Sequence, residues 1–205
     1  AGVGTPSAGL LARWRLDEGN GVIAYDASGQ GHEGTLGGGP AWVGGWSGFA
    51  LAFDGLDDYV QVADADALSP HVGASGEMTL SAWVWLDQWP AGMATFVGKG
   101  GAGGWEYGLA VDNTGYVAFN VWQLSGMDYA RVTGGPLALG RWHHVAGVVK
   151  KGQYVRVYVD GGLVGEQTSL SGDTGNSSAP LTVGRRGDGQ WYRGAVDEVQ
   201  LHGVA

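Results

Sequence analysis

The segment Met78-Thr79-Leu80-Ser81-Ala82-Trp83-Val84-Trp85-Leu86 alternates with a period of two: Leu80, Ala82, Val84 and Leu86 fall on one face, Ser81, Trp83 and Trp85 on the other. A helix would scatter both sets around its circumference, so the segment is constrained to be a strand with one apolar face. Tyr154 to Asp160 repeats the arrangement, with Val155, Val157 and Val159 inward and Tyr154, Arg156 and Tyr158 outward. Asp160-Gly161 is the dipeptide of a type I′ hairpin, and Leu163-Val164-Gly165-Glu166 supplies the returning strand. The same pattern predicts strands at 10–16, 49–53, 59–62, 95–99, 107–111, 116–122, 130–133, 142–149, 181–184 and 196–202. About a dozen short strands separated by Gly, Asp and Asn predict an all-β fold, a two-sheet antiparallel β-sandwich.

Composition agrees. The chain has 205 residues, 44% hydrophobic and only 15% charged, enough for a single domain over 1–205 with residues 1–9 as an N-terminal extension or linker. Its 41 glycines follow no Gly-X-Y period and interleave with Val, Leu, Trp and Tyr, which means tight turns rather than collagen or disorder. The stretches 37–40 and 172–180 read as surface loops, and Asn176-Ser177-Ser178 fits an N-glycosylation acceptor or a chance tripeptide.

A net charge of −9 with Lys99, Lys150 and Lys151 as the only lysines argues against nucleic acid and anionic membrane surfaces, which need a clustered basic surface. No apolar run has the length of a transmembrane helix, so no membrane insertion is expected. Without cysteine there are no disulfides, thiolate metal sites or cysteine nucleophiles. The start at Ala1-Gly2-Val3-Gly4, without methionine, suggests a module processed or cut from a longer polypeptide.

In 26–34, Asp26 and Ser28 sit among glycines that let backbone carbonyls turn inward, the oxygen-rich setting a hard cation such as Ca²⁺ requires. A second carboxylate is available in 194–201, and a metal or a hydrogen-bond cluster would tie the two ends of the chain together. The alternative is an Asx-turn at Asp26 with no metal.

The ordered set 12–19, 25–34, 51–60, 80–84, Trp142-His143-His144-Val145-Ala146, Tyr158-Val159-Asp160-Gly161 and Val196-Asp197-Glu198-Val199 resembles a laminin-G-like domain of the concanavalin A-like lectin/glucanase superfamily, of the bacterial secreted and cell-surface type. The resemblance implies a jelly roll, a secreted or cell-surface location, and a structural Ca²⁺ near the sheet edge. Asp26 and Asp197 are then the side-chain ligands, with Ser28, Gln30 and His32 adding side-chain or backbone oxygens. His32 departs from the asparagine usual at its position. Function is less constrained, because the fold hosts lectins, adhesion modules and enzymes.

Enzyme chemistry finds little support. Asp64 and Asp66 have the i, i+2 spacing of paired carboxylates but read as a solvated loop, and the adjacent Asp197-Glu198 should point to opposite faces. The Glu-x-Asp-x-x-Glu signature of related glucanases is absent. In His143-His144 one ring should face the core and the other solvent, without catalysis, and no serine lies in a Gly-x-Ser-x-Gly elbow.

The aromatics point to binding. Trp14, Trp83 and Trp142 match family positions and read as packing residues, whereas Trp85 replaces a polar or charged residue. A sugar's flat C–H face stacks on an aromatic while Asn, Arg and Asp take its hydroxyls. Trp85, Asn120, Trp122 and Arg131 on neighbouring strands are the expected platform, with Trp89, Trp105, Tyr129 and Trp191 from rim loops. Arg131, Arg156 and Arg185-Arg186 could recognise carboxylated or sulfated sugars or merely balance acids. The expected partner is a polysaccharide or glycan, bound without catalysis. A protein-binding adhesion or spacer module, and a lyase or glycoside hydrolase with an unrecognised site, are the alternatives.

Overall fold

A computed structural model of the chain describes residues 9–72, 76–101, 104–123, 128–168 and 173–205, with the side chains of 128 and 129 outside that description. The strands are β1 (Leu10–Trp14), β2 (Ile23–Ala24), β3 (Gly34–Gly37), β4 (Ala41–Gly44), β5 (Phe49–Asp54), β6 (Tyr59–Val62), β7 (Glu77–Trp85) and β8 (Ala94–Gly101). They continue with β9 (Gly104–Val111), β10 (Val117–Trp122), β11 (Asp128–Gly134), β12 (Trp142–Lys150), β13 (Tyr154–Val159), β14 (Gly162–Gln167), β15 (Leu181–Val183) and β16 (Arg193–His202). A short 3-10 turn at Asp66–Leu68 is the helical element among the described residues.

Two antiparallel sheets result. One runs β14-β13-β12-β7-β16-β5-β4, with β1 also on β16; the other runs β11-β10-β9-β8-β15-β6-β3-β2. The faces of β7 and β13 predicted to be apolar meet the core: Leu80, Ala82, Val84, Val155 and Val157 are fully buried against Phe96, Leu109, Phe119 and Leu181 from the second sheet. The hairpin turn is as expected, with Asp160 at φ 49° and Gly161 at φ 79°, the two positive values a type I′ turn needs.

One expectation is corrected. Asp197 and Glu198 do not point to opposite faces: a β-bulge in β16 places Glu198 at φ 47°, and both flanking residues, Val196 and Val199, belong to the core. Asp64 lies in an exposed loop as expected, and from there its carboxylate also reaches the buried ammonium of Lys99 at 2.7 Å.

Candidate functional site

Strand pairing builds an aromatic surface on the solvent face of the first sheet. β7 and β12 pair with Trp85 opposite Trp142 and Trp83 opposite His144, and Val84 and His143 between them turn inward. Side chains directly opposite in an antiparallel pair lie close enough to touch, so the three half-buried indoles form one block. A fourth indole, 54% exposed, arrives from the turn between β4 and β5: Trp46 stacks flat on Trp83, with centroids 3.8 Å apart and planes 10° apart. His144 packs at a tilt against the same Trp83.

Asp197 pins the Trp46 turn. Its Oδ2 accepts the Ser47 N–H at 3.0 Å, while Oδ1 is buried without a partner. Burial pushes this carboxyl up to about 6, the Ser47 and Glu198 amides oppose the shift, and the charges of Glu198 and Asp17 add to it.

Two adjoining clefts share Trp142. One, of about 390 Å³, is lined by Trp85, Trp142, Phe53 and Ala52 with Asp87 and Arg193 among its walls. The other, of about 480 Å³, lies among Trp46, Trp83, Trp142 and His144 with Arg141 and Asp160. Asp160 is fixed by His143 Nδ1 at 2.9 Å, by Arg141 Nη2 at 3.0 Å and by the His144 N–H at 3.0 Å. Burial pushes its carboxyl up, but these donors outweigh that and hold it below the ordinary range. His143, 2% exposed, is locked between Asp160 and Ala138, which suits an inward structural histidine.

The expected platform does not form as one surface. Trp85 lies on β7 of the first sheet, whereas Asn120, Trp122 and Arg131 lie on β10 and β11 of the second, so they are not on neighbouring strands. Asn120 and Trp122 are 6% and 8% exposed. Arg186, paired through both nitrogens with Asp188, lies 4.4 Å over Trp105 and 5.6 Å from Trp122, so the chain's own arginine covers those rings. Arg131 is exposed opposite Asn120. Trp89 is exposed beside Gly115, and Trp191 packs toward Tyr59. The side chain of Tyr129 lies outside the described residues.

The sequence reading missed Trp46, Trp83 and Trp142 as site residues. Alternation did carry a signal for two of them, since Trp83 and Trp142 fall on the faces opposite Val84 and His143. Trp46 carried none, because a turn has no period.

The expected metal ligands fare differently. Asp26 Oδ1 accepts the N–H groups of Arg13 and Ser28 at 3.0 and 2.9 Å, and Oδ2 accepts Ser28 Oγ–H and the His32 N–H at 2.8 and 3.1 Å. Burial pushes this carboxyl up, yet the four bonds hold it below the ordinary range. The His32 carbonyl is taken by Trp14 Nε1 at 2.7 Å, and Gln30 is exposed. Asp26 therefore makes the Asx-turn and its lone pairs are spent on donors, whereas Asp197 accepts the Ser47 N–H and keeps Oδ1 without a partner. Asp54, Asp57 and Asp58, by contrast, bring carboxylate oxygens within 4.8 Å of one another and could bind a metal. Burial first, then the charges of Asp54 and Asp57, raise the Asp58 carboxyl.

A family model, Laminin_G_3, described as concanavalin A-like lectin/glucanases superfamily, matches residues 53–205. No curated protein matches the chain. Among solved structures, the binding domain of Paraclostridial Mosquitocidal Protein 1 superposes with a TM-score of 0.75 at 14% identity, over 96% of this chain and 49% of that one. The Trypanosoma rangeli sialidase, in complex with 2,3-difluorosialic acid, gives 0.71 at 20% identity, over 97% of this chain and 31% of that one. Domain 4 of AbnA, a GH43 extracellular arabinanase from Geobacillus stearothermophilus, in complex with arabinotriose, gives 0.64 at 20% identity, over 97% of this chain and 94% of that one. The chain thus spans about half the toxin binding domain and a third of the sialidase. At these identities the likeness is one of fold.

Proposed function

The chain belongs to the Laminin_G_3 family of the concanavalin A-like lectin/glucanases superfamily, and on that premise we propose that it is a non-catalytic carbohydrate-binding module of a larger exported protein. The observation that carries this reading is the open tryptophan surface around Trp142. Three indoles on a pair of strands and a fourth stacked on them from a turn offer flat faces to sugar C–H bonds, and polar groups of both signs rim each cleft for the hydroxyls. Trp85 keeps its expected role, with Trp142, Trp83 and Trp46 as its companions.

Two points support binding without turnover. Glycoside hydrolysis needs two carboxylates flanking one bond, and each cleft is lined by a single one, Asp87 or Asp160. The solved domain of the arabinanase that carries arabinotriose is also nearly the same length as this chain. No helix among the described residues is long and apolar enough to cross a membrane.

The test is a glycan array followed by titration of arabino-oligosaccharides and every array hit, read by tryptophan fluorescence. Trp142→Ala is expected to weaken binding at least about 30-fold, the loss of a 2 kcal/mol aromatic anchor. Trp122→Ala should leave affinity within about 2-fold, because Arg186 already covers that ring. An array with no hit, or equal binding by Trp142→Ala, refutes the assignment.

Calcium enters the same reading as a structural ion held by Asp54, Asp57 and Asp58. Asp54 Oδ1 already accepts the Leu56 N–H and Asp58 Oδ2 the Asp54 N–H, so the loop is pre-shaped with other carboxylate oxygens available. A divalent ion would relieve the repulsion that raises Asp58. Added Ca²⁺ should raise Tm in the wild type and not in Asp57→Asn; an unchanged wild-type Tm removes calcium from the account.

A further inference from the structure

We propose a second, independent site on the opposite sheet that binds a carboxylated sugar residue through Arg185. The Arg185 guanidinium lies 3.8 Å over the Tyr59 ring and 5.3 Å from that of Trp191. Its Nη2 reaches Gln61 Oε1 at 3.3 Å, a long bond, and its Nε is buried without an acceptor.

Four of the other guanidinium groups provide a contrast. Arg13 pairs with Glu198, Arg141 with Asp160, Arg156 with Glu166 and Arg186 with Asp188. Among the described residues Arg185, like Arg15, Arg131 and Arg193, has no carboxylate within ion-pair distance, although acidic groups outnumber basic ones 20 to 11 along the chain, and of these four it is the one with a buried donor that meets no acceptor. A buried donor left unmet in a stacked, immobile side chain calls for an acceptor from outside.

The backbone fixes this arginine in place. Gly184, at φ 86°, lies so close to Phe53 that an added Cβ would sit 2.3 Å from its ring, so the chain turns there only as glycine. Thr182 Oγ1 donates to the Arg185 carbonyl at 2.9 Å, and the Tyr192 N–H donates to the Gly184 carbonyl at 2.8 Å. The guanidinium plane is thus set before any ligand arrives, which lowers the entropy lost on binding.

The adjoining cleft, of about 320 Å³, is within the range that holds small ligands. Its described walls are Gly100, Gly101, Ser178, Thr182 and Gly187 with two apolar neighbours, and Arg185 is the one charged side chain among them. The glycines admit a ring close to the backbone, and Ser178 is exposed to meet a hydroxyl. This distinguishes the site from the Trp142 clefts, which hold both signs of charge and suit neutral sugars. A carboxylate matches the planar fork of guanidinium donors.

The experiment titrates the intact chain with trigalacturonate, its methyl ester, a sialyl-oligosaccharide and a sulfated oligosaccharide by calorimetry at 50 and 500 mM NaCl. At least one carboxylated probe should bind, at least 10-fold tighter than the uncharged ester, and weaken at high salt. Arg185→Met should lose that binding 10-fold or more, Arg185→Lys should lose most of it, and Trp142→Ala should retain it. Arg185→Met must keep its Tm within a few degrees; if it does not, Ser178→Trp, which fills the exposed mouth of the cleft, gives the same readout. Failure of both carboxylated probes, preference for sulfate, or loss in Trp142→Ala but not in Arg185→Met overturns the proposal. None of these outcomes bears on neutral-sugar binding at Trp142, so the two sites stand or fall separately.

Discussion

Lys99→Met is expected to lower Tm by about 10 °C, the consequence of leaving one partner of a buried ion pair uncompensated at about 3–5 kcal/mol in a domain of this size. Lys99 and Glu106 are essentially inaccessible to solvent. The ammonium is bonded to Glu106 Oε1, to Asp64 at 2.7 Å and to the Ser177 carbonyl at 2.8 Å. Glu106 in turn accepts the Ser177 N–H and Oγ–H, both at 2.9 Å, and Ser69 Oγ–H at 2.6 Å. The network thus ties β8 and β9 to the segments after β6 and before β15. His71 lies 3.9 Å from Glu106, and burial, assisted by the Lys99 and Lys151 charges, lowers its pKa to about 3, so it supplies no second cation at neutral pH.

With methionine at 99, two carboxylates face each other with no cation between them. Glu106→Gln should cost less, because Lys99 keeps Asp64 and the amide can still accept from Ser69 or Ser177. The double variant Lys99→Met, Glu106→Leu should recover part of the loss, since apolar replacement of a whole buried pair is often close to neutral. Thermal unfolding of the three variants checks the order; a Lys99→Met protein within 1 °C of the wild type would show that the network carries no net stability.

That network marks where the sequence stops being legible. Alternation finds strands wherever side chains of contrasting polarity take turns, and β7, β12 and β13 fall almost where they were predicted. It fails at β3 and β4, because 34–44 is glycine-rich and a residue without a side chain shows no polarity. There the structure packs backbone against side chain: a Cβ at Gly34 would lie 2.4 Å from Val60. Lys99 fails for a different reason, since it shares a strand face with Val97 and its burial depends on Glu106 and Asp64 arriving from elsewhere in the chain. The candidate binding surface is half legible. Trp85 was singled out correctly as an outward aromatic, but its companions depend on which strands are neighbours in each sheet, and that order is set by tertiary packing. At Asp26 the same acidic turn pattern serves an Asx-turn and a calcium loop, and the four donors on its carboxylate, which no sequence pattern displays, are what mark the turn.

Asp197→Asn is expected to stabilise the protein at pH 7.5 by up to about 3 kcal/mol, the equivalent of a two-unit rise in a carboxyl pKa. The sign follows from proton counting. With a folded pKa of about 6 against an ordinary 3.8, the folded state holds more protons than the unfolded state between those values. Asp197 therefore contributes a fall in stability as pH rises from about 4 to about 6, while His71, held near 3 against an ordinary 6.5, contributes a gain over the same range, so the difference between wild type and variant isolates the carboxyl. The asparagine has no charge to bury, so its curve lacks that fall, and the two proteins converge near pH 4. Part of the gain is offset because the new NH₂ group must find an acceptor where Oδ1 now has no partner, while the amide oxygen can still receive the Ser47 N–H. Asp26 and Asp160 act in the opposite sense, their carboxyls lying below the ordinary range, and together with His71 and Asp58 they titrate alike in both proteins and cancel in the difference. Because the Ser47 bond also holds Trp46 on Trp83, binding at the tryptophan surface should be unchanged in Asp197→Asn and reduced in Asp197→Ala, which removes the acceptor. Denaturant unfolding of the wild type and Asp197→Asn at pH 4, 5, 6 and 7.5 decides the matter: an asparagine variant less stable at pH 7.5 would mean that the ionised carboxylate is compensated rather than strained.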